Sequence, residues 1–180
     1  MSKFDPLVVI ETERLKLRFL NSSDKHAIFV NINHDQDVLR YFLDSYLDKE
    51  EDMILDKRID FCLLNERYFL AIELKETNEV IGMILQCSTP TPNCNASEIG
   101  FAIGKKYWNK GYTTEAFKAF MEYLFDGGIH KLIAAHLSPN LASKKVIEKC
   151  GMHYEGRRID DIYYHDQYYD VDYYYLLSDK

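Results

Sequence analysis

The part of the 180-residue sequence with the clearest chemical content runs from Ile99 to Phe125. A basic turn, Lys105 to Lys110, ends at Gly111, and Tyr112-Thr113-Thr114-Glu115-Ala116 then begins a helical pattern. The first turn of a helix presents backbone N–H groups that have no intrahelical acceptor, and the helix dipole adds roughly half a positive charge there. A glycine at that entrance lets a ligand approach the main chain closely, so the turn has the composition of a phosphate cradle. An ordinary strand-to-helix turn would carry the same glycine, and local residue types do not separate the two. Other reactive groups are scattered. Cys62, Cys87, Cys94 and Cys150 form no CxxC pair and have no zinc-ligand spacing, and the six histidines include no HExxH. Free thiols are therefore expected, with Cys87 and Cys94 placed to face each other across a proline-rich turn. The histidines read as structural or surface residues, His136 being set apart by its place on a central strand.

The elements that would position this turn emerge from periodicity. Ile99, Phe101 and Ile103 alternate with smaller residues, which predicts a strand over Ala96–Ile103. Ala116, Phe117, Phe120, Met121 and Leu124 recur at helical spacing until Asp126-Gly127-Gly128 stops the pattern. Upstream, Val8–Ile10 and Leu15–Leu20 read as short strands around Glu11-Thr12-Glu13. Asn21-Ser22-Ser23-Asp24 supplies N-cap chemistry for a helix carrying Ala27, Ile28 and Val30. Asp37 to Tyr41 predicts a helical turn and Lys49 to Asn65 a longer helix. Tyr68–Leu74 and Val80–Ser88 predict a hairpin, and Thr89-Pro90-Thr91-Pro92-Asn93 punctuates the connection to the next strand.

Lys131–Leu137 is mostly apolar, as in a strand buried on both faces. Asn140 then suits the N-cap of a helix over Leu141–Cys150, and Cys150, beside Gly151 at the helix end, reads as structural. A last strand pair is expected between Asp160 and Tyr175, with Val171, Tyr173, Tyr175 and Leu177 on one face. Half of the fourteen tyrosines lie beyond residue 160; tyrosine suits half-buried strands, and an aromatic binding platform is the alternative. The sum is a single α+β domain over residues 1–180, a mixed and largely antiparallel twisted sheet with helices on both faces. The strand–helix–strand from Ala96 to Leu137 would be a right-handed parallel crossover, and a parallel pair that diverges leaves a crevice for a ligand.

Trp108-x-x-Gly111-x-Thr113-Thr114-Glu115-Ala116 resembles the acyl-CoA-binding motif of the GNAT superfamily of N-acetyltransferases, most closely the Rim-type branch of ribosomal-protein N-terminal acetyltransferases. The superfamily pattern is Gln/Arg-x-x-Gly-x-Gly/Ala; here Trp108 holds the first position and Thr113 departs from the last small one. Ser138-Pro139-Asn140-x-x-Ser143, with Glu148-Lys149-x-Gly151-Met152 after it, resembles the family's next strand–helix segment. The Thr12–Arg18 phrase and the closing strand at Asp170–Leu177 extend the likeness over nearly the whole chain. The resemblance implies a GNAT-like fold and acetyl-CoA as cosubstrate, with no metal. Pyrophosphate would be held by the turn Trp108, Asn109, Lys110, Gly111, Tyr112, Thr113 and Thr114, and the arm by the strand Ile99, Phe101 and Ile103. It further implies that Asn140 binds or orients the pantetheine arm and that Ser143 both contacts the cosubstrate and protonates the departing thiolate. The tyrosine that many superfamily members use as that acid would fall on Ile147. Glu98 would take up the amine's proton, directly or through water. Bland roles exist for each: a capping Asn140, a helix-surface Ser143, a solvated strand Glu98.

Composition bounds the rest. A chain that is 47% hydrophobic with few Gly and Pro is globular, and no apolar run approaches the roughly 20 residues of a membrane span. Met1 to Pro6 has no signal-peptide core, so a cytoplasmic location is expected. A net charge of −7 argues against nucleic acid as partner and suits a cationic amine, although acidity also serves solubility. The implied partners are acetyl-CoA and an amine acceptor such as a protein N-terminus or a small molecule; paired terminal strands are compatible with a homodimer. Two other classes stay open, a non-catalytic acyl-CoA-binding or sensor module and a purely structural interaction domain.

Overall fold

The chain forms eight strands: β1 (Val9–Glu11), β2 (Leu15–Phe19), β3 (Phe69–Leu74), β4 (Val80–Gln86), β5 (Ala96–Ile103), β6 (Lys131–Leu137), β7 (His153–Tyr164) and β8 (Gln167–Leu177). They form one sheet in the order β1-β2-β3-β4-β5-β6-β8-β7, in which β5 and β6 are parallel and the other neighbours antiparallel. The computed structural model describes residues 4–88, 90, 93 and 95–179. Among these, no helix is long and apolar enough to cross a membrane.

Successive strand residues point to opposite faces, and both faces are covered. Leu70, Ile72, Ile84, Ile99, Ile103, Leu132 and Ala134 meet α4 (Tyr112–Asp126) and α5 (Leu141–Lys149). Phe69, Ala71, Met83 and Ala102 meet α1 (Lys25–Ile28), α2 (Gln36–Leu39) and α3 (Leu55–Leu64). Each fully buried Leu, Ile or Phe contributes about 1.5–3 kcal/mol of transfer free energy. The long helix α4 lays Ala116, Phe117, Phe120, Met121 and Leu124 on the sheet, as its periodicity predicts. Gly128, at φ 89°, takes the left-handed position that ends it.

Two expectations need correction. The helix expected over Lys49 to Asn65 is a 3₁₀ turn at Glu50–Asp52, an extended Met53 and then α3. Met53, Ile54 and Leu55 are consecutive and cannot share one helical face; the extended backbone at Met53 (ψ 127°) buries it and Leu55 while leaving Ile54 exposed. The last strand pair begins at His153, well before Asp160. Most of β7 is exposed, so no apolar alternation marks it, and its pairing shifts register between Tyr154 and Gly156 and again between Arg158 and Ile162. In β8, Val171, Tyr173 and Tyr175 do share a face, but the packed helices lie on the other side, against Tyr174 and Leu176. The expected meeting of Cys87 with Cys94 and much of the Thr89–Asn93 turn fall outside the described residues.

The feature that matters for function is the β5–β6 pair. The two strands are in register only at Ala96–Lys131, Ser97–Leu132 and Glu98–Ile133. Beyond that point β5 continues to Ile103 and β6 to Leu137 without pairing to each other.

Candidate active site

The divergence of β5 and β6 opens a cleft of about 850 Å³. Its walls can be read from hydrogen-bond parity. Glu98 O accepts from Cys87 N, and Gly104 N donates to Ile81 O, so even-numbered residues of β5 turn their backbone groups to β4. Ile99, Phe101 and Ile103 therefore turn theirs toward the cleft. On β6 the same logic applies: His130 O and Ser138 N bond to the β8 side, which leaves Ala135 and Leu137 facing the gap. The cleft thus has a strand edge on each side, able to hydrogen-bond an extended ligand carrying amides.

At one end of the cleft lies the basic turn. Gly111 has φ +83°, a left-handed conformation that glycine adopts at no steric cost. The first bond of α4 runs from Glu115 N to Gly111 O at 3.0 Å, so the N–H groups of Tyr112, Thr113 and Thr114 precede the intrahelical ladder. Trp108 ties the turn back to β5, its Nε1 donating to Ile103 O at 2.9 Å. Trp108, Asn109, Gly111, Thr113 and Thr114 line the cleft. Lys110 and Tyr112 do not: the Lys110 ammonium sits 5.6 Å from the Tyr107 ring, and Tyr112 lies beneath the Arg14 guanidinium at 4.5 Å.

Arg14, within the Thr12–Arg18 phrase, braces this turn. Its Nη1 donates to Lys110 O at 3.0 Å, and its Nε donates to Glu115 at 2.7 Å. Glu115 also accepts from Thr12 Oγ1 at 2.6 Å and from Arg14 N at 2.9 Å. Burial alone would raise the Glu115 pKa, but these donors together outweigh it and hold the carboxyl below its ordinary value. The opening strand phrase is thereby joined to the cradle across about a hundred residues of sequence, a link that no local pattern announces.

The second wall ends at the N-terminus of α5. Asn140 caps it, its Oδ1 accepting from Ser143 N at 3.1 Å. Because that oxygen is committed, its Nδ2 faces Ser143 and donates to Oγ at 3.0 Å. The serine oxygen is thus an acceptor in this pair, and its own proton is left for another partner. Both residues line the cleft. Ile147 lies buried one turn further on, and Cys150 is buried at the end of the helix, its thiol pushed up to about 11 by burial, a poor nucleophile.

On the opposite face of the sheet, Glu98 lines the cleft with Cys87, Tyr173 and Arg58. Burial raises the Glu98 pKa above its ordinary value, and the charge of Arg158 offsets part of that rise. This side of the cleft is walled by Asp37, Val38, Arg40, Tyr41, Phe42, Leu43 and Ile162. The Tyr164 hydroxyl, near the tip of the β7–β8 hairpin, pins that segment by donating to Leu39 O at 2.8 Å, with Phe42 O at 3.1 Å. Arg58, ion-paired with Asp44, holds it from α3. None of these contacts is visible in the sequence.

A strand edge, a helix N-terminus, a serine and a partly buried carboxylate thus meet around one gap. The acetyltransferase (GNAT) domain family matches residues 14–153, and the chain belongs to that family of N-acetyltransferases. The uncharacterised N-acetyltransferase YoaA of Bacillus subtilis (strain 168) is 27% identical over 96% of this chain and 98% of its own. A GNAT-family acetyltransferase from Bacillus anthracis, of known crystal structure, superimposes with a TM-score of 0.83 at 28% identity, over 96% of this chain and all of that one. RimL, a ribosomal L7/L12 alpha-N-protein acetyltransferase solved with coenzyme A, shares the fold with a TM-score of 0.84 at 22% identity, over 96% and 99% of the two chains. The mixed, mostly antiparallel sheet with helices on both faces is the GNAT fold.

Proposed function

We propose that the protein transfers an acetyl group from acetyl-CoA to a primary amine, by direct attack within a ternary complex. The observation that carries this reading is the short pairing of β5 with β6, which leaves two strand edges converging on the left-handed Gly111 turn. The pantetheine arm, an extended chain with two amides, suits such a gap. Its pyrophosphate would then meet the N–H groups of Gly111 to Thr114, with Trp108 and Asn109 beside it and Lys110 adding charge at the rim. A Cβ at Gly111 would find only Arg14 Nη2, at 3.3 Å, so the approach to the main chain is open.

The chemistry assigned to each group is set by its surroundings. An ammonium has no lone pair to attack with, so the amine must first lose a proton. Glu98 is suited to receive it, directly or through water, because burial makes it more basic than an ordinary carboxylate. As the thioester oxygen gains charge, the N–H groups of Phe101 and Ile103, beyond the last β5–β6 pair, are the available donors. The thiolate then leaves toward α5, where Ser143 keeps a free proton because Asn140 already donates to its oxygen. Thiolate is a good leaving group, so positioning supplies much of the acceleration. The acceptor class includes protein N-termini and small-molecule amines.

Two measurements test this. Calorimetric titration with acetyl-CoA should show saturable binding. Thiol release should then appear with at least one member of a panel of peptide N-termini, polyamines and aminoglycosides. Binding without thiol release across broad panels would leave an acyl-CoA sensor, and absence of binding would refute the assignment.

A further inference from the structure

We propose that His136 is a further binding residue for the cosubstrate, its Nε2 accepting a hydrogen bond from an amide N–H of the pantetheine arm. The proposal rests on the acetyl-CoA reading above. His136 lies on β6 with the same parity as Leu132 and Ala134, hence on the α4–α5 face, where its ring packs at 5.6 Å against Tyr174. It is only 5% exposed and forms part of the cleft wall. Its Nδ1 is 2.8 Å from Leu137 O. A carbonyl can only accept, so Nδ1 carries the proton, and in the neutral ring Nε2 is left as an acceptor. That nitrogen is buried and has no hydrogen-bond partner among the described residues.

No group hydrogen-bonded around the ring supplies the missing donor, and the buried Ser138 hydroxyl, two residues on, is likewise without a partner among the described residues. Asp172, opposite His136 on β8, is itself an acceptor, held by Arg157 at 2.8 and 2.9 Å. Leu137 O also receives Asn140 N at 2.7 Å, so the carbonyl that fixes the imidazole tautomer also seats the cap of α5 beside Ser143. An acceptor with no partner is therefore held in the wall of the cleft that the arm would enter. Phosphates at pH 7 offer that nitrogen no donor, whereas each pantetheine amide brings an N–H that needs an acceptor in a closed cleft. An unpaired buried acceptor is costly, and ligand binding would relieve it.

Three proteins and two ligands decide the matter by calorimetry. His136→Asn keeps a donor near the position of Nδ1 but does not reach that of Nε2; His136→Gln places an amide oxygen near Nε2. Adenosine 3′,5′-bisphosphate keeps the nucleotide end of acetyl-CoA and lacks the arm. His136→Asn should weaken acetyl-CoA about tenfold while binding the bisphosphate within twofold of wild type, and His136→Gln should recover most of the loss. Unchanged acetyl-CoA affinity in His136→Asn overturns the proposal. An equal fall for both ligands overturns it too, since the histidine would then only support the fold. Wild-type protein that ignores acetyl-CoA would overturn the cosubstrate reading itself.

Discussion

Replacing Gly111 by alanine perturbs the cradle with the smallest added volume. The residue sits at φ +83°, where an L side chain costs about 1–2 kcal/mol. The new Cβ would meet only the end of the Arg14 guanidinium at 3.3 Å, a flexible group that can give way, so strain rather than collision sets the stability cost. For a chain of this size the expected drop in Tm is about 2–8 °C. Cofactor affinity should fall further than strain alone requires. Arg14 also holds Lys110 O, and a turn that relaxes toward negative φ re-aims the N–H groups meant for pyrophosphate. A tenfold loss, about 1.4 kcal/mol, is the minimum expected for acetyl-CoA, and Gly111→Val should lose more because a β-branched residue fits this conformation worst. Gly111→Asn separates the two effects, since asparagine tolerates left-handed backbone yet still carries a Cβ: stability should be nearly retained and affinity reduced. Thermal unfolding and calorimetric titration read both quantities. A folded Gly111→Ala protein that binds acetyl-CoA within twofold of wild type would refute the pyrophosphate assignment.

Ser143→Ala should lower turnover while leaving acetyl-CoA affinity within a few-fold; an affinity loss with preserved turnover at saturation would make Ser143 a binding residue instead. Glu98→Gln should cost about 10²-fold or more in turnover at neutral pH, with the deficit shrinking as pH rises and more amine is already neutral. Because burial raises the Glu98 pKa, wild-type kcat/KM should climb through a limb above the ordinary carboxylate range, and a Gln variant that keeps that limb would exonerate Glu98. Glu115→Ala strands the donors of Thr12 and Arg14 and should destabilise by about 1–3 kcal/mol in denaturant titration. The folded pKa of Glu115 is depressed, so its contribution is present above the unfolded value and lost as pH falls through the folded one. The gap between wild type and Glu115→Gln should accordingly close in acid; a gap that widens there would contradict the ion-pair account.

The parts of this molecule legible in sequence are those whose signals are local. β5 and β6 match their predicted bounds because alternation and apolar runs fix them residue by residue. The glycine turn is legible because a left-handed position before a helix favours that residue. Asn140 reads as a cap, and its side chain does accept from Ser143 N. A capping signal does not disclose that the same amide also orients the Ser143 hydroxyl, which depends on one rotamer. The expected helix at α3 is too long because counting apolar residues from Met53 to Leu64 ignores that three consecutive ones cannot share a face. The start of β7 is silent in the sequence because an exposed edge strand has no buried face to encode. What sequence does not yield at all is contact at long separation: Arg14 with Lys110, Tyr164 with Leu39, and the unpartnered Nε2 of His136 in its buried setting.

Strand parity also gives the proposed reaction its direction. On β5, Ile99 and Ile103 turn their side chains toward α4 and α5, so Glu98, with the parity of Ala102, turns toward α1–α3. Tyr173 lies on the Glu98 side, whereas Ser143 and His136 belong to the α5 side. The proposed base and acid therefore lie on opposite faces of the sheet, and the gap between the diverging strands connects them. In the proposed reaction an amine entering from the Glu98 side would reach the thioester carbonyl in that gap from one face, and the thiolate would depart toward Ser143 on the other. A continuous β5–β6 pairing would close the gap and isolate the two faces, so the loss of a few strand hydrogen bonds beyond Glu98 and Ile133 is the structural condition for catalysis in this reading.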